Sequence, residues 1–280
     1  MSERVIHRTE DRRFEFGENW SRFLEVISDT RIQKAEESLK QMLKVSTLRD
    51  RTFLDIGSGS GLFSLAARRL GARVHSFDYD KRSVACTLNL KRQYCRDDKG
   101  WTIEEGSVLD EEYMRSLGQF DIVYSWGVLH HTGAMWQALE NAHGAVAPHG
   151  RLFVAIYGDQ GRSTVYWKHI KQLYVRLPKG LKLLILWPAF LRLWGPTTIR
   201  DFLYGKPFQT WRSHVQYRGM SPWRDVVDWV GGYPFEVAKP EEVFEFYRDR
   251  GFRLVTLKTC GGLGCNEFVF EQQVEATTRS

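Results

Sequence analysis

Two groups of residues in this chain are spaced to do chemistry. The first is Thr52–Ser64, TFLDIGSGSGLFS, where a short apolar run (Phe53, Leu54, Ile56) carries Asp55 and glycine then takes every second position, at Gly57, Gly59 and Gly61. Apolar residues at helical spacing follow (Leu62, Phe63, Leu65, Ala66, Leu70), which predicts strand, tight turn, helix. Glycines there let the backbone approach a ligand that a Cβ would block, and the helix start offers N–H groups to an anion. A dinucleotide fingerprint would need its third glycine where Leu62 stands, and a Walker loop would need a lysine that is absent. Downstream, GARVHSFDYD (Gly71–Asp80) reads as a second strand ending on Asp78. An acid about 20 residues beyond the glycine turn is placed to accept hydrogen bonds from a ribose diol. Asp80 is assigned instead to capping the helix that starts near Lys81.

The second group is the histidine pair in FDIVYSWGVLHHTG (Phe120–Gly133). Its near-continuous apolar start predicts a buried parallel strand. Ligands lie at the carboxyl ends of such strands, which puts Ser125–Thr132, with Trp126, His130 and His131, beside the site. WTIEEGSVLD (Trp101–Asp110) is a third strand whose exit turn holds Ser107 and Val108, and RLFVAIY (Arg151–Tyr157) is a fifth that ends on Tyr157.

The D-x-G-x-G-x-G of Asp55–Gly61, followed in order by Asp78, the 101–110 turn and the 120–133 strand, resembles the class I S-adenosylmethionine (SAM) methyltransferases. The resemblance runs continuously to the fifth strand and resumes at Pro240–Glu271. It implies an α/β, Rossmann-like sheet of seven strands in the order 3-2-1-4-5-7-6 with the last strand antiparallel. It also implies SAM as cofactor and S-adenosylhomocysteine as product, held by Asp55, Gly57, Gly59, Gly61 and Asp78. Ser107 and the Val108 amide then fall at the adenine, Trp126 at the cofactor, and Trp20 in an N-terminal helical segment that folds over the mouth. VLHH is similar to the matching segment of small-molecule and sugar O-methyltransferases, in which a histidine serves as base. In the ubiquinone-biosynthesis type the two positions hold Glu-His, so His130 replaces the glutamate and His131 stands at the histidine.

The elements around these motifs divide the chain four ways. Residues 1–50 are an arm and helical lid, with core packing as the competing role for the helix. Residues 51–157 are the cofactor-binding core, 158–235 an insertion after strand five, and 236–280 the last helix, two strands and a tail. The insertion is mainly helical, and its apolar segment Leu181–Trp194 is too short for a membrane span and carries Pro188. It also holds Arg200, Arg212, His214, Tyr217 and Arg218 among tryptophans, which suits an acceptor-recognition cap that grips an anion. A solvated basic face and a subdomain core compete with that role.

Composition narrows the class further. A 42% hydrophobic and 26% charged chain without an apolar leader, carrying four irregularly spaced cysteines, fits a cytoplasmic protein with neither a disulfide framework nor a metal pattern. A net charge of +6 favours anionic partners only weakly. Methyl transfer needs the acceptor in line with the S–CH3 bond at about 3 Å. A hydroxyl acceptor also needs a base, and an imidazole titrating near about 6.5 suits neutral pH. His131 is the expected base, His130 its orienter, and Tyr157 a further site residue. The leading function is therefore O-methylation of a small molecule or glycan, phosphorylated or otherwise anionic. The alternatives are an RNA (tRNA) methyltransferase, through basic residues interleaved with aromatics, N- or C-methylation of a metabolite, and a non-catalytic SAM-binding scaffold.

Overall fold

The computed structural model describes residues 27–218, 221–262 and 264–273, with backbone alone for 215–218. The described chain divides into two units: Gly161–Phe235, and the remainder on either side of it.

The larger unit alternates strands and helices in chain order. These are α1 (Asp29–Leu43), β1 (Thr52–Ile56), α2 (Leu62–Arg69), β2 (Arg73–Asp78), α3 (Lys81–Tyr94), β3 (Trp101–Glu105), α4 (Glu111–Ser116), β4 (Phe120–Trp126), a 3-10 turn Leu129–His131, α5 (Met135–Gly144) and β5 (Val146–Tyr157). After the second unit, whose helices α6–α9 are described below, come α10 (Pro240–Arg248), β6 (Phe252–Lys258) and β7 (Cys265–Gln272). The strands form one sheet in the order β3-β2-β1-β4-β5-β7-β6. β1 to β5 are mutually parallel, and β7 runs antiparallel to both β5 and β6. This is the expected topology.

Both faces of the sheet are covered, which is why β1 and β4 are apolar without alternation. One face packs Leu54, Ile56, Val123, Leu152 and Phe268 against α5 and α10 through Leu139, Val243 and Tyr247. The other packs Phe53, Ile122, Tyr124 and Phe153 against α2 and α1. Ile32, Ala35, Leu39, Met42 and Leu43 of α1 are all buried there. For residues 29–43 the helix thus acts as core packing. The expected lid segment that includes Trp20 lies outside the described residues.

One boundary differs from expectation. β5 begins at Val146, five residues before the predicted start. Val146 pairs with Phe120 across a register shift before the regular ladder resumes at Arg151. Pro148 and Gly150 therefore sit in an irregular strand entry, a place where proline is tolerated.

The unit Gly161–Phe235 is helical: α6 (Arg162–Arg176), α7 (Leu183–Leu203), α8 (Gln209–Arg218) and α9 (Pro222–Gly231). α7 is longer than the predicted apolar segment and continues through both Pro188 and Pro196. Aromatic rings knit the unit: Trp187 meets Trp223 at 5.1 Å, Phe190 meets Trp211 at 5.5 Å, and Trp167 meets Trp229 at 5.8 Å. These tryptophans serve the unit's own packing, the competing role set out above. Lys171 is fully buried among them. Its Nζ donates to the Trp229 carbonyl and lies 4.2 Å from the Trp229 ring and 4.7 Å from that of Phe235. Desolvation lowers its pKa to about 7.

Candidate active site

The parallel strands bring the carboxyl ends of β1, β2, β4 and β5 to one edge, and the order reverses between β1 and β4. A crevice opens at such a reversal. The glycine turn after β1 is tied to β2 and α3. Gly57 and Ser58 donate to the Phe77 carbonyl at 2.9 and 3.1 Å. Ser58 Oγ meets Thr87 Oγ1 at 3.0 Å. Gly57, Gly59 and Gly61 all have positive φ, at 78°, 54° and 79°, which is the physical reason for glycine at each. Two are also demanded by packing. A Cβ on Gly57 would come within 2.5 Å of Val128, and one on Gly61 within 2.9 Å of Thr87.

Asp78 ends β2 and turns back to the loop. Its Oδ2 accepts from the Gly59 amide and its Oδ1 from the Asp80 amide, each at 2.9 Å. Burial pushes its pKa up to about 6 against those bonds. Asp80 caps α3, accepting from the Arg82 amide, as expected. Asp55 is 2% exposed. Its Oδ2 accepts from Ser64 Oγ, which lies 2.7 Å from Ser76 Oγ, and Ser76 Oγ in turn accepts from Trp101 Nε1 at 2.8 Å. Here Asp55 ties β1 to α2, and desolvation raises its pKa to about 7. Local spacing gives no sign of this chain of four side chains, because its members are brought together by strand pairing.

The exit of β3 is a local turn. Ser107 Oγ accepts from the Leu109 amide, and its carbonyl accepts from Asp110, which caps α4. Val108 is buried, and its carbonyl accepts from Asn141 Nδ2 at 2.8 Å. At the end of β4, Trp126 is 38% exposed and donates through Nε1 to Glu267 of β7. Thr87 and Glu267 carry no local sequence signal of their roles as loop and indole partners, because both act across long stretches of chain.

The histidines and Tyr157 form a cluster of rings. His130 is fully buried, with its ring centre 4.1 Å from that of Tyr157 and 4.4 Å from that of His131. His131 is partly exposed and stands nearly perpendicular to Tyr157 at 5.5 Å. The backbone here is pinned from beyond the insertion: Glu236 donates its amide to the His130 carbonyl, and its carboxylate accepts from the Met135 amide. Glu236 likewise carries no local signal of this role, since its partners lie about 100 positions away in the chain.

Within the helical unit, Arg200 donates to Thr210 Oγ1 at 3.1 Å and lies 3.8 Å from Asp201, while Arg212 is exposed. His214 packs on Trp194 and lies 3.7 Å from Asp225. The side chains of Tyr217 and Arg218 lie outside the described residues.

A seven-stranded sheet in this order, with a glycine turn after β1 and an acid closing β2, defines the class I SAM-dependent methyltransferase fold. Residues 54–152 match the family model described as a methyltransferase domain. The chain is 27% identical over 158 residues to a ubiquinone biosynthesis O-methyltransferase of Caulobacter vibrioides, covering 56% of this chain and 58% of that protein. It is 29% identical over 84 residues to a ribosomal protein L11 methyltransferase of Helicobacter hepaticus, covering 30% and 25%. The chain thus spans little more than half of the first relative and a quarter of the second. Among solved structures it resembles magnesium protoporphyrin IX methyltransferase from Synechocystis PCC 6803 with bound SAH, at 13% identity and TM-score 0.53, over 86% of this chain and 83% of that one. It also resembles PKMT2 from Rickettsia typhi, at 14% identity and TM-score 0.56, over 85% and 52%. At those identities the likeness is one of fold. The chain has the class I SAM-dependent methyltransferase fold and matches a methyltransferase domain over residues 54–152, and the cofactor of that fold family is SAM. The loop fits that group: its three positive-φ glycines leave alternate positions of the turn without a Cβ, beside a carboxylate suited to a ribose diol.

Proposed function

We propose that this chain moves a methyl group from SAM to a hydroxyl of a small molecule or glycan, phosphorylated or otherwise anionic, with His131 as base. The observation that carries this reading is the contrast within the ring cluster: His130 is sealed in, while His131 beside it is partly exposed at the end of β4. The Caulobacter relative, a ubiquinone biosynthesis O-methyltransferase, agrees with it.

SAM, when bound, supplies a methyl group on a sulfonium, open to in-line displacement. Asp78 would hold the cofactor by accepting from the ribose hydroxyls, while the Gly57–Gly61 turn leaves room for the backbone to approach. The Val108 amide and Ser107 would hold the adenine, and Trp126 would stand beside the cofactor. His131 takes the acceptor's proton as its oxygen attacks. His130, packed against Tyr157, fixes the orientation of the pair, and Tyr157 supplies a polar rim. Arg212, His214, Tyr217 and Arg218 of the insertion are the proposed acceptor contacts. Arg200 has the weaker claim, since Thr210 and Asp201 already engage it.

The test is transfer of labelled methyl from SAM to a panel of phenols, sugars and their phosphorylated forms, with tRNA alongside. Mass spectrometry then assigns the methylated atom. Label on a hydroxyl that disappears in His131→Ala supports the reading, whereas label on a nitrogen, on a carbon or in tRNA overturns it.

A further inference from the structure

The helical unit presents a surface that methyl transfer does not call for. α7 is apolar on two sides, and its own unit covers only one. Leu186, Ala189 and Trp194 are buried, whereas Leu184 is 70%, Trp187 54%, Leu191 62%, Ile199 63% and Phe202 54% exposed. The exposed positions follow one another at three, four, eight and three residues, so they lie along one stripe of a 3.6-residue helix. Scattered exposed leucines are ordinary, but a contiguous stripe of this kind marks an interaction site.

Charge identifies the partner. From Gln160 to Arg200 the sequence contains eight lysines and arginines and no aspartate or glutamate. Of these only Lys171 is buried. Arg176, Lys179 and Arg192 are exposed, and Lys182 lies over the Tyr174 ring at 4.8 Å. The first carboxylate after this run, Asp201, is buried and accepts from Thr210. We infer that the outward stripe of α7 and the cations around it form a docking surface for an anionic lipid bilayer.

The chemistry matches on both counts. An apolar helix face rimmed by lysine and arginine lies in the interfacial plane, with its leucines at the acyl boundary and its cations among anionic headgroups. Exposed Trp187, and Tyr204 just past the helix end, belong to the residue types that favour headgroup depth. No described helix is long and apolar enough to cross a membrane, so α7 would lie along the surface. A second copy of the chain is a poorer occupant, because a two-fold contact would set this cationic rim against itself.

The test uses the full chain and vesicles of phosphatidylcholine, with or without phosphatidylglycerol, read by co-sedimentation. The wild type should sediment with the anionic vesicles, remain in solution with phosphatidylcholine alone, and be released by salt. Leu184→Glu with Leu191→Glu should weaken retention by at least about tenfold, since each leucine forfeits its transfer out of water. Lys179→Gln with Arg192→Gln should weaken it about fivefold per cation removed. Because these side chains are exposed, melting temperature and SAM affinity should stay at wild-type values in both variants, which certifies their folding and separates this test from the methyl-transfer reading. Wild-type protein that ignores anionic vesicles overturns the inference, as does equal retention of the leucine variant. A wild-type dimer that Leu184→Glu with Leu191→Glu turns into monomer, without vesicle binding, assigns the stripe to a second copy and also overturns it.

Discussion

Asp78 Oδ2 accepts the amide of Gly59 at 2.9 Å, so the acid at the end of β2 holds the middle of the glycine turn that follows β1. Two motifs about 20 residues apart in sequence thereby become one folded element at the end of the sheet.

The same relationship predicts how cofactor affinity depends on pH. Burial has pushed Asp78 up to about 6, and in the proposed site ribose hydroxyls bind its ionised form. Affinity for SAM should therefore rise with pH and level off above neutrality. At pH 5 it should be about tenfold weaker, following the ionised fraction. Asp78→Asn should bind weakly at every pH, costing about 1.5–3 kcal/mol. Calorimetry at pH 5 and pH 8 decides the point, and a flat profile for the wild type would falsify this assignment of the ribose.

Gly57 tests whether the turn serves the fold as well as the ligand. Its φ of 78° and the 2.5 Å approach to Val128 mean that alanine there strains the backbone and crowds the exit of β4. Gly57→Ala should lose about 1–3 kcal/mol of stability, and Val128→Ala in the same chain should restore part of it. Urea denaturation of the two variants measures this. A stable Gly57→Ala protein that merely fails to bind SAM would assign the glycine to the ligand alone.

The histidines should respond differently to truncation. His131→Ala should cut turnover by roughly 10²–10⁴ with SAM affinity nearly unchanged. His130 is fully buried and packed on Tyr157, so His130→Ala should lower the melting temperature as well as the rate. Should the two variants show the opposite pattern, the base would be His130.

Buried titratable groups set the pH profile of stability with opposite signs. Asp55, raised to about 7, and Asp78, raised to about 6, hold protons more tightly folded than unfolded. Their contribution is fully present below about pH 4 and is lost as pH rises through 6 and 7. Lys171, lowered from 10.5 to about 7, releases its proton more readily when folded. Its share of stability therefore grows from pH 7 to about 10. Lys171→Met keeps the apolar stem, removes the desolvation cost, and should flatten that alkaline rise. Melting curves from pH 5 to 10 for wild type and variant give the comparison.

The sequence by itself determined the sheet and its cofactor loop, because both rest on short-range patterns. Gly57, Gly59 and Gly61 follow an apolar run, Asp78 ends the next one, and each strand is a run of a few apolar residues bounded by turn signals. Tertiary structure alone decided what those residues touch. Asp55 ends in a chain through Ser64, Ser76 and Trp101 because parallel pairing sets β1 beside β2 and β2 beside β3. Gly57 is constrained by Val128 and the His130 carbonyl by Glu236, partners 71 and 106 positions away in the chain. The insertion shows the same limit. Its tryptophans suit a pocket wall or a packed core equally well by composition, and only the ring contacts of Trp211, Trp223 and Trp229 assign those three to packing. Local patterns encode backbone geometry and which residues seek burial. Which buried residues meet depends on contacts between distant segments, and those exist only once the chain has folded.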